Sequence, residues 1–166
     1  MELNKSVSNP MLVGAMQLIK ADGKEPDPAH QKMFMEELDK AVLLAPVEMT
    51  EGEEEGKAMV RFPILTGGDG KQFFVLFTDN AALESSQNSE SGKAIPESFS
   101  EKTAAVRFLE MARVLLSKGP DGQDNPVFGI VINAFMENII IPKTAVQGMV
   151  LKKGQEAAKA REDKKD

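Results

Sequence analysis

The sequence predicts an α+β domain with a mixed, largely antiparallel sheet of about five strands and flanking helices. Three observations carry this. Asn125–Asn133 and Ile139–Pro142 are β-branched runs on either side of a short loop with Asn at each end, and they read as a hairpin whose first strand is buried on both faces. Lys57–Leu65 alternates apolar and polar, and the continuous apolar run Gln72–Thr78 returns after Gly67–Gly70. Other stretches repeat their apolar residues at helical spacing between clear start and stop signals.

Asn9-Pro10 opens the first helix as a cap followed by proline at the first helical position. Leu12, Ala15, Met16 and Ile19 share one face, and Asp22-Gly23 stops it. Asp27-Pro28 repeats the start signal, with Phe34, Leu38 and Ala41 on the inward stripe. Leu43–Val47 follows as a short strand. Pro46 has no N–H for a ladder, so this strand is expected to lie at an edge or to end there. Thr50–Gly56 is an acidic turn, whose neighbouring carboxylates fit a solvated loop better than the alternating ligand positions of a calcium site.

Ala58, Val60, Phe62 and Ile64 are placed on one strand face, and the two runs Lys57–Leu65 and Gln72–Thr78 are expected to pair antiparallel. The glycine-rich turn ahead of Lys71 is not a phosphate loop. Leu65 stands where that motif needs glycine, Gln72 stands where it needs Ser or Thr, and the turn joins two strands. Asp79–Leu83 reads as a capped helical turn. Glu84–Ser98 is polar and reads as a long mobile loop. Ala105, Phe108, Leu109, Ala112, Leu115 and Leu116 form the stripe of the next helix, which Gly119-Pro120 ends. After the hairpin, Pro142-Lys143-Thr144 starts a last helix with Val146, Met149 and Val150. Residues 1–151 are expected to form a single domain, and 152–166 a charged tail that frays.

Composition narrows the function. The 166 residues are about one domain, with enough apolar content to build a core without staples. A net charge of −6 disfavours general nucleic-acid binding. The tail carries six basic and four acidic residues, a mixture that suits a solvated helix better than a nucleic-acid arm. No apolar run approaches the roughly 18 residues of a membrane span, and the first residues lack the apolar core of a signal peptide, so a cytoplasmic location without membrane contact is expected. The absence of cysteine removes disulfides, thiol nucleophiles and thiolate metal sites.

The catalytic inventory is thin. His30 is the only histidine, placed near a helix start without a nucleophile partner, and reads as a surface or boundary residue. The sequence nominates no catalytic, cofactor-binding or metal-binding residue, and no cofactor. Ten methionines are explained first as flexible gap-fillers. Phe135 and Met136 are different. They are large apolar residues in the turn between two strands, where turn chemistry favours Asn, Asp and Gly. Asn133, Phe135 and Met136 are therefore the candidate partner-binding residues, for a protein partner or a second copy of the chain.

The order of motifs resembles a known family. Asn9, Leu12 and Ala15, then Phe34–Leu38 running into Leu43–Val47, then Phe74–Asp79 followed by Ala82-Leu83, and finally Gly129–Asn133 together resemble the N-terminal domain of the SseB family, named for enhanced serine sensitivity. The resemblance covers about Asn9 to Val150 and departs from the family pattern at Ser85-Ser86 and at Ala134-Phe135. It implies a bacterial cytoplasmic domain with a mixed sheet and flanking helices, and brings no catalytic residues. The expected function is a non-enzymatic protein-interaction or regulatory module. The alternative is a small-molecule-binding domain or an enzyme working through carboxylates, which calls for a deep pocket with two close acidic side chains.

Overall fold

The computed structural model describes residues 2–3, 6–51, 58–67, 69–88, 102–118, 121–123, 125–134 and 137–163. In chain order these form β1 (Glu2–Leu3), α1 (Pro10–Asp22), α2 (Pro28–Lys40), β2 (Val42–Glu51), β3 (Ala58–Arg61), β4 (Ile64–Thr66), β5 (Gln72–Leu76), α3 (Asn80–Asn88), β6 (Lys102–Arg107), α4 (Phe108–Leu116), β7 (Gly129–Ile132), β8 (Ile139–Pro142) and α5 (Lys143–Asp163). The α+β class is as predicted. The strands form two four-stranded groups, β1-β6-β2-β3 and β4-β5-β7-β8. All neighbours are antiparallel except β5 and β7. Among the described residues one bridge joins the groups: the Leu44 N–H donates to the Phe77 carbonyl and the Phe77 N–H to the Leu44 carbonyl, both at 2.8 Å.

Strand alternation sends side chains to two cores. On the first face Leu43, Ala45, Val47, Phe74, Leu76, Ile130 and Ile132 meet α1, α2, α4 and the start of α5. On the second face Leu44, Phe73, Val75, Phe77 and Val131 meet Ala82 and Leu83 of α3, the one helix that covers them among the described residues, with Ala134, Val7 and Leu65 beside them. This is why β5 and β7 read as unbroken apolar runs. The β7–β8 hairpin is borne out, with Ile130 opposite Ile141 and Ile132 opposite Ile139.

Several expectations need correction. Lys57–Leu65 is not one strand. Ala58–Arg61 pairs with Glu48–Glu51 of β2, and only Ile64–Thr66 pairs with Gln72–Phe74, closed by the Gly67–Gly70 turn. Pro63, which has no N–H to donate, separates the two pieces. Nor does β2 lie at an edge or end at Pro46. It has β6 on one side and both Phe77 and β3 on the other. Leu44 turns both backbone groups towards Phe77, so strand alternation turns those of Pro46 the same way, and the β6 ladder loses nothing.

Lys102–Arg107, including Ala105, is a strand, and the helix begins only at Phe108. Glu84–Asn88 belongs to α3, and the remainder of the proposed Glu84–Ser98 loop lies outside the described residues. So does most of the acidic turn, although Thr50 and Glu51 end β2. The last helix is continuous to Asp163, and its residues 151–161 are exposed. No helix among the described residues is long and apolar enough to cross a membrane.

Asp22 and His30 tie the end of α1 to the start of α2. The His30 Nδ1 lies 2.6 Å from Asp22 Oδ2, which also accepts the Asp27 N–H at 3.0 Å. The hydrogen bond to Asp22 raises the His30 pKa above its ordinary 6.5. The bond from His30, then that from the Asp27 N–H, lowers Asp22 below 3.8. The raised histidine contributes stability that is complete below about pH 6.5 and lost as pH rises through its folded value. The lowered carboxylate contributes stability that is present above about pH 4 and lost as pH falls through its own. The melting-temperature gap between wild type and Asp22→Asn should therefore be widest near pH 5–6 and shrink by about pH 8–9. A gap that is equal at both ends would contradict the pairing.

Gly129 is a second test of the fold. A Cβ there would collide with the Ile141 carbonyl oxygen and come within 2.9 Å of Pro142 Cα, both backbone atoms that cannot swing aside. Gly129→Ala should cost about 3 kcal/mol as an overpacked core position does. In thermal denaturation that is a fall of roughly 6–12 °C for a domain of this size.

Candidate functional site

The three nominated residues begin at the C-terminal end of the parallel pair β5/β7. Asn133 follows β7 directly and is 1% exposed. Its φ of 53° is left-handed, as is the 52° of Asn138 at the far end of the turn, and Asn tolerates that region better than other non-glycine residues. The backbone closes the turn with a bond from the Asn138 N–H to the Asn133 carbonyl at 3.0 Å. Phe135 and Met136 lie outside the described residues.

The Asn133 side chain points inward. Its Oδ1 accepts the Thr78 N–H at 2.9 Å, and its Nδ2 donates to Thr78 Oγ1 at 2.9 Å and to Glu137 Oε2 at 3.3 Å. Thr78 is buried and donates its hydroxyl to Asp79 Oδ2 at 3.1 Å. Asp79 Oδ1 accepts the Ala82 N–H at 2.7 Å, which caps α3. On the other side, Asn9 Nδ2 donates to both the Thr78 and the Val42 carbonyls at 2.7 Å. Asn9 does stand before Pro10, but its side chain makes no cap; it clamps two strands instead. Sequence reading found the position and missed the role, because the two acceptors come from residues far along the chain.

A second feature lies across the sheet, where α2, α4 and α5 enclose a groove of about 300 Å³. Its floor is Met35, Phe108, Leu109, Ala112, Met149 and Val150. Its rim is charged, with Lys32, Glu36 and Asp39 from α2 facing Lys152, Lys153 and Glu156 from α5. Lys153 Nζ reaches Asp39 Oδ2 at 2.7 Å, and this bond raises the Lys153 pKa above its ordinary 10.5. Sequence periodicity assigns these apolar residues to helix stripes; that three stripes leave a space between them is a tertiary fact. Asp39 is thus held to an ammonium group that Glu156 Oε2 also approaches, at 3.9 Å, an ion-pair arrangement rather than two carboxyl groups sharing a proton. Among the described residues no three His, Asp or Glu side chains converge as a metal-holding cluster.

The Asn133 arrangement makes a separable prediction. Asn133→Ala leaves the buried Thr78 N–H without its acceptor and forces alanine into a left-handed conformation, for a combined cost of about 2–4 kcal/mol. Asn133→Gly removes the same side chain but tolerates the backbone, and should be less damaging by about 1 kcal/mol. Urea denaturation of the two variants measures this difference, and equal losses would remove the backbone part of the account.

Comparison with known proteins gives one family. The model of the SseB protein N-terminal domain matches residues 15–146. No curated protein and no solved structure gives a significant match. The match spans well over half of the chain, from within α1 to within α5, and the chain belongs to the SseB N-terminal domain family.

Proposed function

We propose that this domain is a non-enzymatic protein-interaction or regulatory module of the bacterial cytoplasm, contacting its partner through the Asn133–Asn138 turn and the adjoining face of β8. The observation that carries the reading is the thin cover of the second sheet face. Ile140 and Phe128 are 45% and 36% exposed, although Ile140 sits directly opposite the buried Val131. Ile140 is two residues beyond the turn that bears Phe135 and Met136. Large apolar side chains left exposed on a thinly covered sheet face are a mark of protein contact surfaces. Asn133 has the supporting role of holding the turn, and Phe135 and Met136 the contacting one. A cytoplasmic setting agrees with a chain that has no cysteine.

A second reading rests on the groove between α2, α4 and α5, whose volume is at the lower end of small-molecule sites. In that case a metabolite raises the melting temperature by mass action, and a thermal-shift screen detects it.

The contact reading is tested by Phe135→Ala. It should leave monomer stability nearly unchanged and weaken association by about 1 kcal/mol or more, read by sedimentation for self-association and by affinity capture for a partner. A stability loss of about 3–5 kcal/mol with association unchanged would place Phe135 in a core and end the proposal.

A further inference from the structure

We propose that the distal part of α5, from Gly148 onward, is a hinged strap over the apolar groove, held down by the Lys153–Asp39 ion pair. Among the described side chains, the apolar anchoring of the helix is confined to its start. Val146 is fully buried in the first core, Met149 and Val150 are partly buried against it, and residues 151–161 are exposed. Helix is therefore maintained over more than two turns with little packing beneath it, where tertiary contact is the usual source of helix stability.

Two glycines interrupt this stretch, Gly148 and Gly154. Nothing lies within 4 Å of a Cβ built on either one, so neither is required by a close approach. Each weakens the local helix about five-fold relative to alanine. They bracket Met149–Lys153, which supplies four of the α5 residues that wall the groove. Unwinding from Gly148 onward frees that wall together with the turns beyond it. A hinge at Gly154 releases only the turns beyond it.

The opposing side is fixed. The Asp39 carboxylate takes Lys153, while its backbone carbonyl accepts Arg107 Nη2 at 3.0 Å, tying the end of α2 to the β6–α4 junction. Glu156 Oε2, 3.9 Å from the same ammonium, adds a weaker hold from within α5 itself. Both Lys153 and Asp39 are partly exposed, so the pin is weak and sensitive to salt. Lifting the strap uncovers the Met35 and Phe108 side of the groove. The proposal concerns this helix and groove and is independent of the contact surface proposed at the β7–β8 turn.

Amide hydrogen exchange on the full chain, with a neutral apolar fluorophore such as N-phenyl-1-naphthylamine as a probe of the groove, tests the strap. Asp39→Asn and Lys153→Gln should each speed exchange of residues 149–163, by up to about five-fold at low salt, and the double variant should add nothing beyond one of them. The fluorophore should brighten with both. Amides of β5 and β7 should keep their protection. Gly148→Ala with Gly154→Ala should slow exchange by up to roughly 25-fold at residues 149–153, whose release unwinds both positions, and by about five-fold beyond Gly154, and lower fluorophore binding. Unchanged exchange in the alanine pair removes the hinges. Additive effects of the two charge variants remove the pin. Faster exchange without added fluorescence shows that the helix frays without governing the groove, and the proposal fails.

Discussion

The two halves of the sheet depend on what holds Thr78. Among the described residues the backbone link between them is the Leu44–Phe77 bridge, two hydrogen bonds that contribute about 1 kcal/mol each in net terms. Thr78 is the next residue, and every polar group it has is engaged: the N–H by Asn133, the carbonyl by Asn9, the hydroxyl by Asn133 and Asp79. Asn9 bonds the Val42 carbonyl with the same amide, so a single side chain spans both sides of the bridge. Because Thr78 and Asn133 are buried, losing any one partner strands a desolvated donor or acceptor, which costs more than the bond contributed. The start of α1, the ends of β5 and β7, and the cap of α3 are all positioned from this residue.

What could be read in the sequence was what has a local period or a local signal. The stripes of α1 and α2, the Asp27 cap, and the β7–β8 hairpin announce themselves within a few residues, and Asp27 does accept the Ala29 N–H at 2.9 Å. Lys102–Arg107 has no strand signal in its sequence because it is buried on both faces and built of small residues. Ala104, Ala105 and Val106 show no alternation, and Ala105 falls in helical register with Phe108 and Ala112. Pro46 misled for a related reason. A proline excludes a donor on one side of a strand only, and which side faces a partner is set by neighbours that local reading does not contain. Asn133 attracted attention as part of an unusual turn, and the left-handed backbone at Asn133 and Asn138 is what that turn required of them.

The unequal cover of the two faces follows from chain order. Four helices pack on the first face: α2 leads into β2, α4 follows β6, α5 follows β8, and α1 packs beside α2. The second face has the short α3, whose Ala82 and Leu83 reach the Phe77 end of β5. Towards the other end, Phe128 shields Phe73 edge-on at 5.7 Å between centroids, and Lys71 lies over the Phe128 ring at 4.4 Å. An aromatic pair with an ammonium above it is a partial substitute for a helix. It leaves Ile140 exposed, on a strand that is short and ends in proline, two features that blunt pairing along its outer edge.

Open α/β sheets usually present their ligand crevice beyond the C-terminal ends of parallel strands. Among the described strands that position exists only between β5 and β7, and the chain fills it with its own polar groups. Asn133, Thr78 and Asp79 satisfy one another, and Asp79 also takes the amide at the start of α3 that would otherwise receive an anion. A lone parallel pair gives little room for a cleft, and the same residues are needed to join the sheets. The groups best suited by position to bind a ligand are thus committed to the scaffold. Recognition by this domain is accordingly proposed for surfaces that the scaffold leaves apolar and uncommitted, the face of β8 and the groove beneath α5.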